Sequence, residues 1–358
     1  MQHRTLRRCA ATAAILALAA SAVPAFAAPG RRARAVAATR YVADNQTDTG
    51  AITGGFSQFG TTADAVVAFV AARRGERQIR RAVRWLEENV EEASTLGLKA
   101  KLVFALVAAG KDPRSFAGHD LVEEIQASQT DSGQYGGESD TEVGYHALAM
   151  LALSAAGEAP PGNASQWLVD AQCGDGGWQF DEPSSEGDDQ HCFDSSAEND
   201  FARSDTNTTA HAVMALAGAP GPEARNDPFE FLRSARDDYK GGWVYEPHGK
   251  CTEEKLGKEF CYLTDANSTA LVIMAYSATG ADVPDGGDRA LARLQYPLCG
   301  RTMGAFAFSW DYDAERERFE KQDPNVGATV GAVPALMRFP FGSSAEVTQP
   351  PPRRRPCK

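Results

Sequence analysis

The sequence is short of positive charge. Its 358 residues carry 36 Lys and Arg against 48 Asp and Glu, a net charge of −12. It therefore lacks the basic face that neutralises phosphates, and no nucleic-acid partner is expected. The same deficit disfavours loose attachment to an anionic membrane. Past residue 22 there is no long apolar run, so no membrane span is expected in the mature chain. Strand-type alternation is weak throughout, which argues against a β architecture. There is no C-x-x-C pair and no EF-hand spacing. Structural zinc, with His191-Cys192 or His248 and Cys251 as its ligands, is thus the weaker reading of the cysteines, and neither a metal nor any cofactor is expected.

What is present begins with an export signal. Arg4, Arg7 and Arg8 precede an apolar run from Ala10 to about Ala22, and Ala25-Phe26-Ala27 is an A-x-A cleavage site. Residues 1–27 read as a signal peptide and the mature protein as secreted. Six cysteines remain in the mature chain, an even set for an oxidising compartment, and six cysteines allow 15 pairings. Cys173 with Cys192 and Cys251 with Cys261 each bracket one polar insertion, and Cys299 with Cys357 would tie down the tail.

Internal repetition organises the rest. Asp205-Thr-Asn-Thr-Thr-Ala-His211, Asp265-Ala-Asn-Ser-Thr-Ala-Leu271 and Asn325-Val-Gly-Ala-Thr-Val-Gly331 align without gaps and continue into Ala-rich apolar runs. Asp140 to Leu151 fits the template with Glu142 at the Asn207 position and His146 at the His211 position. Thr62 to Phe69 and Lys99 to Leu106 fit more weakly. A polar cap followed by a run apolar on all sides is a buried helix, stopped by Gly110, Gly157, Gly218 and Gly280. Amphipathic segments lie between them, such as Ala82 to Val90 and Ser165 to Gln172. The alternation predicts an all-α (α/α)6 toroid over 28–342, with six parallel inner helices inside six outer ones. An open array would expose the apolar inner helices to water. Insertions at 181–204 and 246–263 would overhang the ring, and the Pro- and Arg-rich stretch 343–358 reads as a disordered tail.

The loops carry a second signature. Gln172-Cys-Gly-Asp-Gly-Gly-Trp178 is its clearest copy and Arg236-Asp-Asp-Tyr-Lys-Gly-Gly-Trp243 a variant; degenerate copies start at Gln46, Gln129 and Gln295. These resemble the QW repeats of the squalene cyclase and protein prenyltransferase superfamily. That resemblance implies a toroid in which Gln and Trp tie one outer helix to the next repeat, so Trp178 and Trp243 are read as structural. Class II terpene cyclases carry D-x-D-D-T-A at an inner-helix start. The matching stretch here, Asp205 to Ala210, has Asn207 and Thr208 at the acid positions, and an amide cannot deliver a proton. The zinc trio of the prenyltransferases is not found. The secreted cobalamin carriers resemble the chain more distantly, through the same ring.

Parallel inner helices place six N-termini at one mouth, where free N–H groups would favour anions. Repeat register puts Asp64, Lys101, His146 and His211 in one layer inside that mouth. Asp64, His146 and His211 are therefore the catalytic candidates, should any catalysis remain. Lys101, Asp140, Glu142, Tyr145, Asp205, Asn207, Asp265 and Asn267 are the ligand-binding candidates. With the cyclase acid and the zinc ligands missing, the expected function is a non-catalytic exported toroid. It would hold an isoprenoid-like or cobalamin-like small molecule in its central cavity. The alternatives are a terpene cyclase-like or other toroid enzyme (hydrolase or lyase), and a scaffold binding an extracellular protein through the acidic stretch 181–204.

Overall fold

The computed structural model describes residues 29–136, 140–181, 192 and 202–357. Helices fall where polar caps precede apolar runs. The inner helices are α2 (Gln58–Ala71), α4 (Leu96–Ala108), α6 (Val143–Ala155), α8 (Thr206–Gly218), α10 (Ala266–Ala278) and α12 (Val326–Met337). The outer ones are α1 (Pro29–Asp44), α3 (Glu76–Glu88), α5 (Leu121–Ala127), α7 (Gly162–Asp170), α9 (Pro228–Ser234) and α11 (Gly287–Leu294). Each inner helix packs on the next, and α12 packs on α2, so the layer closes into a ring. The first outer helix, α1, lies against α12 and α2 and covers the seam. Ala-rich faces permit this close approach; Ala65, Ala100, Ala147, Ala212, Ala270 and Ala332 are all buried. The outer helices bury one stripe only. In α3, Ile79, Ala82, Val83, Trp85 and Leu86 face inward from an otherwise charged helix. No helix among the described residues is long and apolar enough to cross a membrane.

The QW loops act as rivets. Gln172 Nε2 donates to the carbonyls of Gly176 and Asn226, and its Oε1 accepts from Asn226 N–H, joining the end of α7 to the start of α9. Gln46 reaches the Gln78 carbonyl in α3 in the same way, and Gln295 reaches the Arg34 carbonyl in α1 and so closes the outer ring. Arg236 does this work in the variant copy, donating to the Gly241 and Asp285 carbonyls. Trp178 and Trp243 are fully buried, and their indole N–H groups donate to Leu168 O and Leu232 O, each at 2.7 Å.

Three short antiparallel pairings complete the loops: β1 (Trp178–Gln179) with β2 (Ser204–Asp205), β3 (Phe306–Ala307) with β6 (Pro324–Asn325), and the hairpin β4 (Trp310–Asp313) with β5 (Arg318–Lys321). The three disulfides are Cys173–Cys192, Cys251–Cys261 and Cys299–Cys357, the pairing expected from the spacing. One expectation is corrected. The stretch 343–357 is not a loose tail but a strap across the outer helices. The Gln349 carbonyl accepts from Gly75 N–H, Arg354 grips Asp44 of α1, and Cys357 is bonded to Cys299. Local composition suggested disorder, whereas these long-range contacts fix the segment. Most of the acidic stretch 181–204, including its carboxylates from Glu182 to Asp200, lies outside the described residues.

Candidate functional site

The ring encloses a cavity of about 270 Å³. Six residues at one depth, one from each inner helix, line it: Asp64, Lys101, Leu148, His211, Leu271 and Gly331. Five of the six positions are those the repeat register indicates. The sixth corrects it. Helix α6 starts after Glu142, so Glu142 rather than Asp140 matches Asp205, and Leu148 rather than His146 matches His211.

His146 has another task. In four repeats a Thr hydroxyl, on Thr62, Thr209, Thr269 or Thr329, accepts the N–H of Ile52, Trp178, Trp243 or Phe306 at 2.9–3.0 Å. In α6 the Nδ1 of His146 accepts from Tyr135 N–H at 2.9 Å, and Nε2 then donates to Ala164 O. The ring is wholly buried against Tyr135 and Trp167, and burial pushes its pKa down to about 3. His146 is thus a neutral buried strut and is withdrawn as a catalytic candidate, because no substrate reaches it.

The candidates that face the cavity differ in kind. Lys101 Nζ donates to Asp64 Oδ2 at 2.7 Å, both side chains partly open to the cavity. His211 makes no side-chain hydrogen bond among the described residues. Burial, and then the Lys101 ammonium, pushes its pKa down to about 4, so it is a neutral base at physiological pH. Asn207 and Asn267 line the cavity one turn nearer the mouth, and Asn207 Oδ1 is buried without a partner.

The mouth offers no ring of free N–H groups, contrary to the expectation of an anion site. In α4, α8 and α10 the first N–H is taken by the following repeat: Leu96 N–H by Asp140 Oδ2, Thr206 N–H by Tyr245 O and Ala266 N–H by Phe308 O. In every inner helix but α6 a later N–H is taken by the helix's own cap side chain. Asp205 Oδ1 accepts from Asn207 and Thr208 N–H, and Asp265 Oδ1 from Ser268 N–H. Asp140, Asp205 and Asp265 therefore cap helices first. Glu142 precedes α6, and Tyr145 packs edge-on against Phe180; neither lines the cavity. Asp205 and Asp265 keep a second oxygen, Oδ2, buried and unpartnered. Burial pushes their carboxyls up to about 7 and about 6 respectively.

Sequence reading missed the compartment above. A cleft of about 560 Å³ shares Phe56, Asn207 and Asn267 with the central cavity and is walled by Tyr245, Phe260, Tyr262, Phe308, Trp310 and Tyr312, with Asp265 at its base. The insertion 246–263, closed by Cys251–Cys261, supplies one wall, and the β4–β5 hairpin the other. The alternation Trp310-Asp-Tyr-Asp313 was the available signal for that hairpin.

Neither a protein-family model nor a curated protein matches the sequence. Solved structures do match in fold. The type II terpene cyclase MstE from Scytonema shares 13% identity, covering 88% of this chain and 99% of that one, with a TM-score of 0.53. The unsaturated glucuronyl hydrolase of Bacillus sp. GL1, described as responsible for glycosaminoglycan degradation, shares 13% over 87% and 96%, TM-score 0.52. An inactive variant of the α-1,6-mannanase of Salegentibacter sp. HEL1_6, in complex with α-1,6-mannotetrose, shares 11% over 87% and 99%, TM-score 0.51. These neighbours are enzymes, which overturns the expectation of a non-catalytic carrier. The chain is an α/α toroid of the terpenoid cyclase-like fold.

Proposed function

We propose that the chain is a glycoside-cleaving enzyme acting outside the cytoplasm, where its three disulfides persist. The observation that carries the reading is the continuity of a polar layer with an aromatic cleft. Asp64, Lys101, His211, Asn207 and Asn267 offer donors and acceptors suited to hydroxyl groups, and the cleft offers flat apolar faces. The mannanase and the glucuronyl hydrolase, whose names concern carbohydrates, support the same class.

In hydrolysis, a base takes a proton from water as its oxygen bonds to the anomeric carbon, and an acid gives a proton to the departing oxygen. His211 and Asp64 are the bases facing the cavity. Asp265, which keeps its proton up to about pH 6, is the acid at the cleft base. Lys101 holds Asp64 in place. Proton-initiated polyene cyclisation is the weaker reading, because the position matching the cyclase acid holds an amide, Asn207, and its counterpart in the next repeat is Asn267. The test is reducing-end release from neutral and uronate-containing oligosaccharides, with ultraviolet absorbance followed in parallel for elimination. Loss of turnover in His211→Ala and Asp64→Asn with an unchanged melting temperature supports the reading, and undiminished turnover in both sinks it.

A further inference from the structure

The two compartments differ in ways that specify how a substrate would enter, given the glycoside-cleaving reading above. The central cavity is blind. Met274 and Phe341 border it on one side, and on the other they border a separate void of about 260 Å³ at the C-terminal ends of α6, α8 and α10. The segment after α12 makes this partition. Arg338 turns the chain with φ 51°, and Phe341 then stacks on Phe104 with ring centroids 4.4 Å apart. A chain threading the ring would meet that stacked pair, so only an end group can occupy the polar layer.

The outer compartment is twice as large and open at its top. Phe56 and Phe260 are 103% and 81% exposed, an unusual position for large apolar side chains. Both stand on the cleft wall, with Tyr262 edge-on to Phe260 at 5.1 Å. Four polar atoms on these walls are buried and unpartnered: Asn207 Oδ1, Asp265 Oδ2, Ser268 Oγ and Trp310 Nε1. Buried polar groups are rarely left so unless something else completes them. Donors and acceptors together, placed where the compartments meet, suit a hydroxylated ligand lying across the junction.

We infer that the enzyme is exo-acting. The terminal unit of a neutral glycan enters the blind polar pocket, the scissile bond lies at the junction, and the following units stack on Phe260, Tyr262 and Phe56. A neutral unit is specified because Lys101, the one cation among the described residues that line the pocket, is already paired with Asp64, and the first N–H groups of α4, α8 and α10 are already bonded.

The experiment uses the mature disulfide-bonded protein and a length series, from disaccharide to hexasaccharide, of gluco-, galacto- and manno-oligosaccharides labelled at the far end. Products are resolved by size from the earliest time points. The expected result is release of one terminal unit at a time. kcat/KM should rise with length, and Phe260→Ala should lose about three- to tenfold on the longer members and little on the disaccharide. Phe260 is exposed, so its removal leaves the fold intact. A ladder of internal products overturns the exo assignment and leaves the glycoside-cleaving reading standing. Equal loss at every length in Phe260→Ala overturns the stacking role. No product from any member of the series, and from uronate-containing chains also, overturns the reading on which the inference rests.

Discussion

The two ends of the barrel are built on opposite plans. At the C-terminal end, Phe339, Pro340 and Phe341 cross the opening, and Arg338 is bound to Asp288 and to the Ala335 carbonyl. The strap that follows is bonded there through the Gln349 carbonyl, which accepts from Gly75 N–H. At the N-terminal end, the loops stand apart as a cleft, and carboxyl oxygens of Asp205 and Asp265 lie buried without partners. One end is organised for stability. The other leaves polar groups desolvated, which costs stability and fits the place proposed above for the substrate.

That contrast is open to direct attack. The largest effect belongs to the mouth: His211→Ala or Asp64→Asn should lower kcat/KM by about 10²–10⁴-fold, the worth of a general base, with little change in melting temperature. Next is the plug. Phe341→Ala should cost about 3–5 kcal/mol in denaturant unfolding and join the central cavity to the void behind it. Replacing Cys299 and Cys357 together by Ser should cost about 2–4 kcal/mol in the same measurement and leave the catalytic rate near the wild-type value, since no strap residue lines the cavity or the cleft.

The smallest expected effects concern pH. The Asp265 carboxyl is raised in the fold, so its contribution to stability is present in acid and is lost as pH rises through about 6. Asp265→Asn keeps a capping side chain, as Asn325 shows in α12. The variant should gain on the order of 1–3 kcal/mol over the wild type between pH 4 and pH 8 while losing turnover. Destabilisation at every pH would mean that the buried carboxyl is not a cost. His146 has the opposite sign. Its pKa is lowered to about 3, so its contribution is present above about pH 6.5 and is lost as pH falls toward 3. His146→Thr restores the acceptor used in the other repeats. It should flatten the acid limb of the stability curve at a cost of about 1–3 kcal/mol, without affecting turnover.

The layer of Asp64, Lys101 and His211 was readable because each lies six residues past a cap position, or near it, in a helix that repeats the same template. The reading failed at α6 for a physical reason. Asp140 and His146 mimic the spacing of Asp205 and His211, but Asp140 caps the neighbouring helix α4, and His146 accepts the Tyr135 N–H as Thr does elsewhere. A template compares residue types, whereas here two different side chains fill one hydrogen-bonding role. The free N–H groups expected at the mouth were misjudged for a related reason. Their acceptors, such as Tyr245 O for Thr206 and Phe308 O for Ala266, sit some 40 residues away.

By itself the sequence determined the alternation of inner and outer helices, their caps and stops and the Gln and Trp rivets, and it favoured the disulfide pairing that the structure shows. Each of these rests on local periodicity or on residues bracketing one short segment. Only the tertiary structure decided that the cavity is blind, that the tail is a strap, and that the insertion 246–263 faces the β4–β5 hairpin across an aromatic cleft. Those features depend on which distant loops meet when the ring closes, and ring closure is set by packing between helices far apart in the chain.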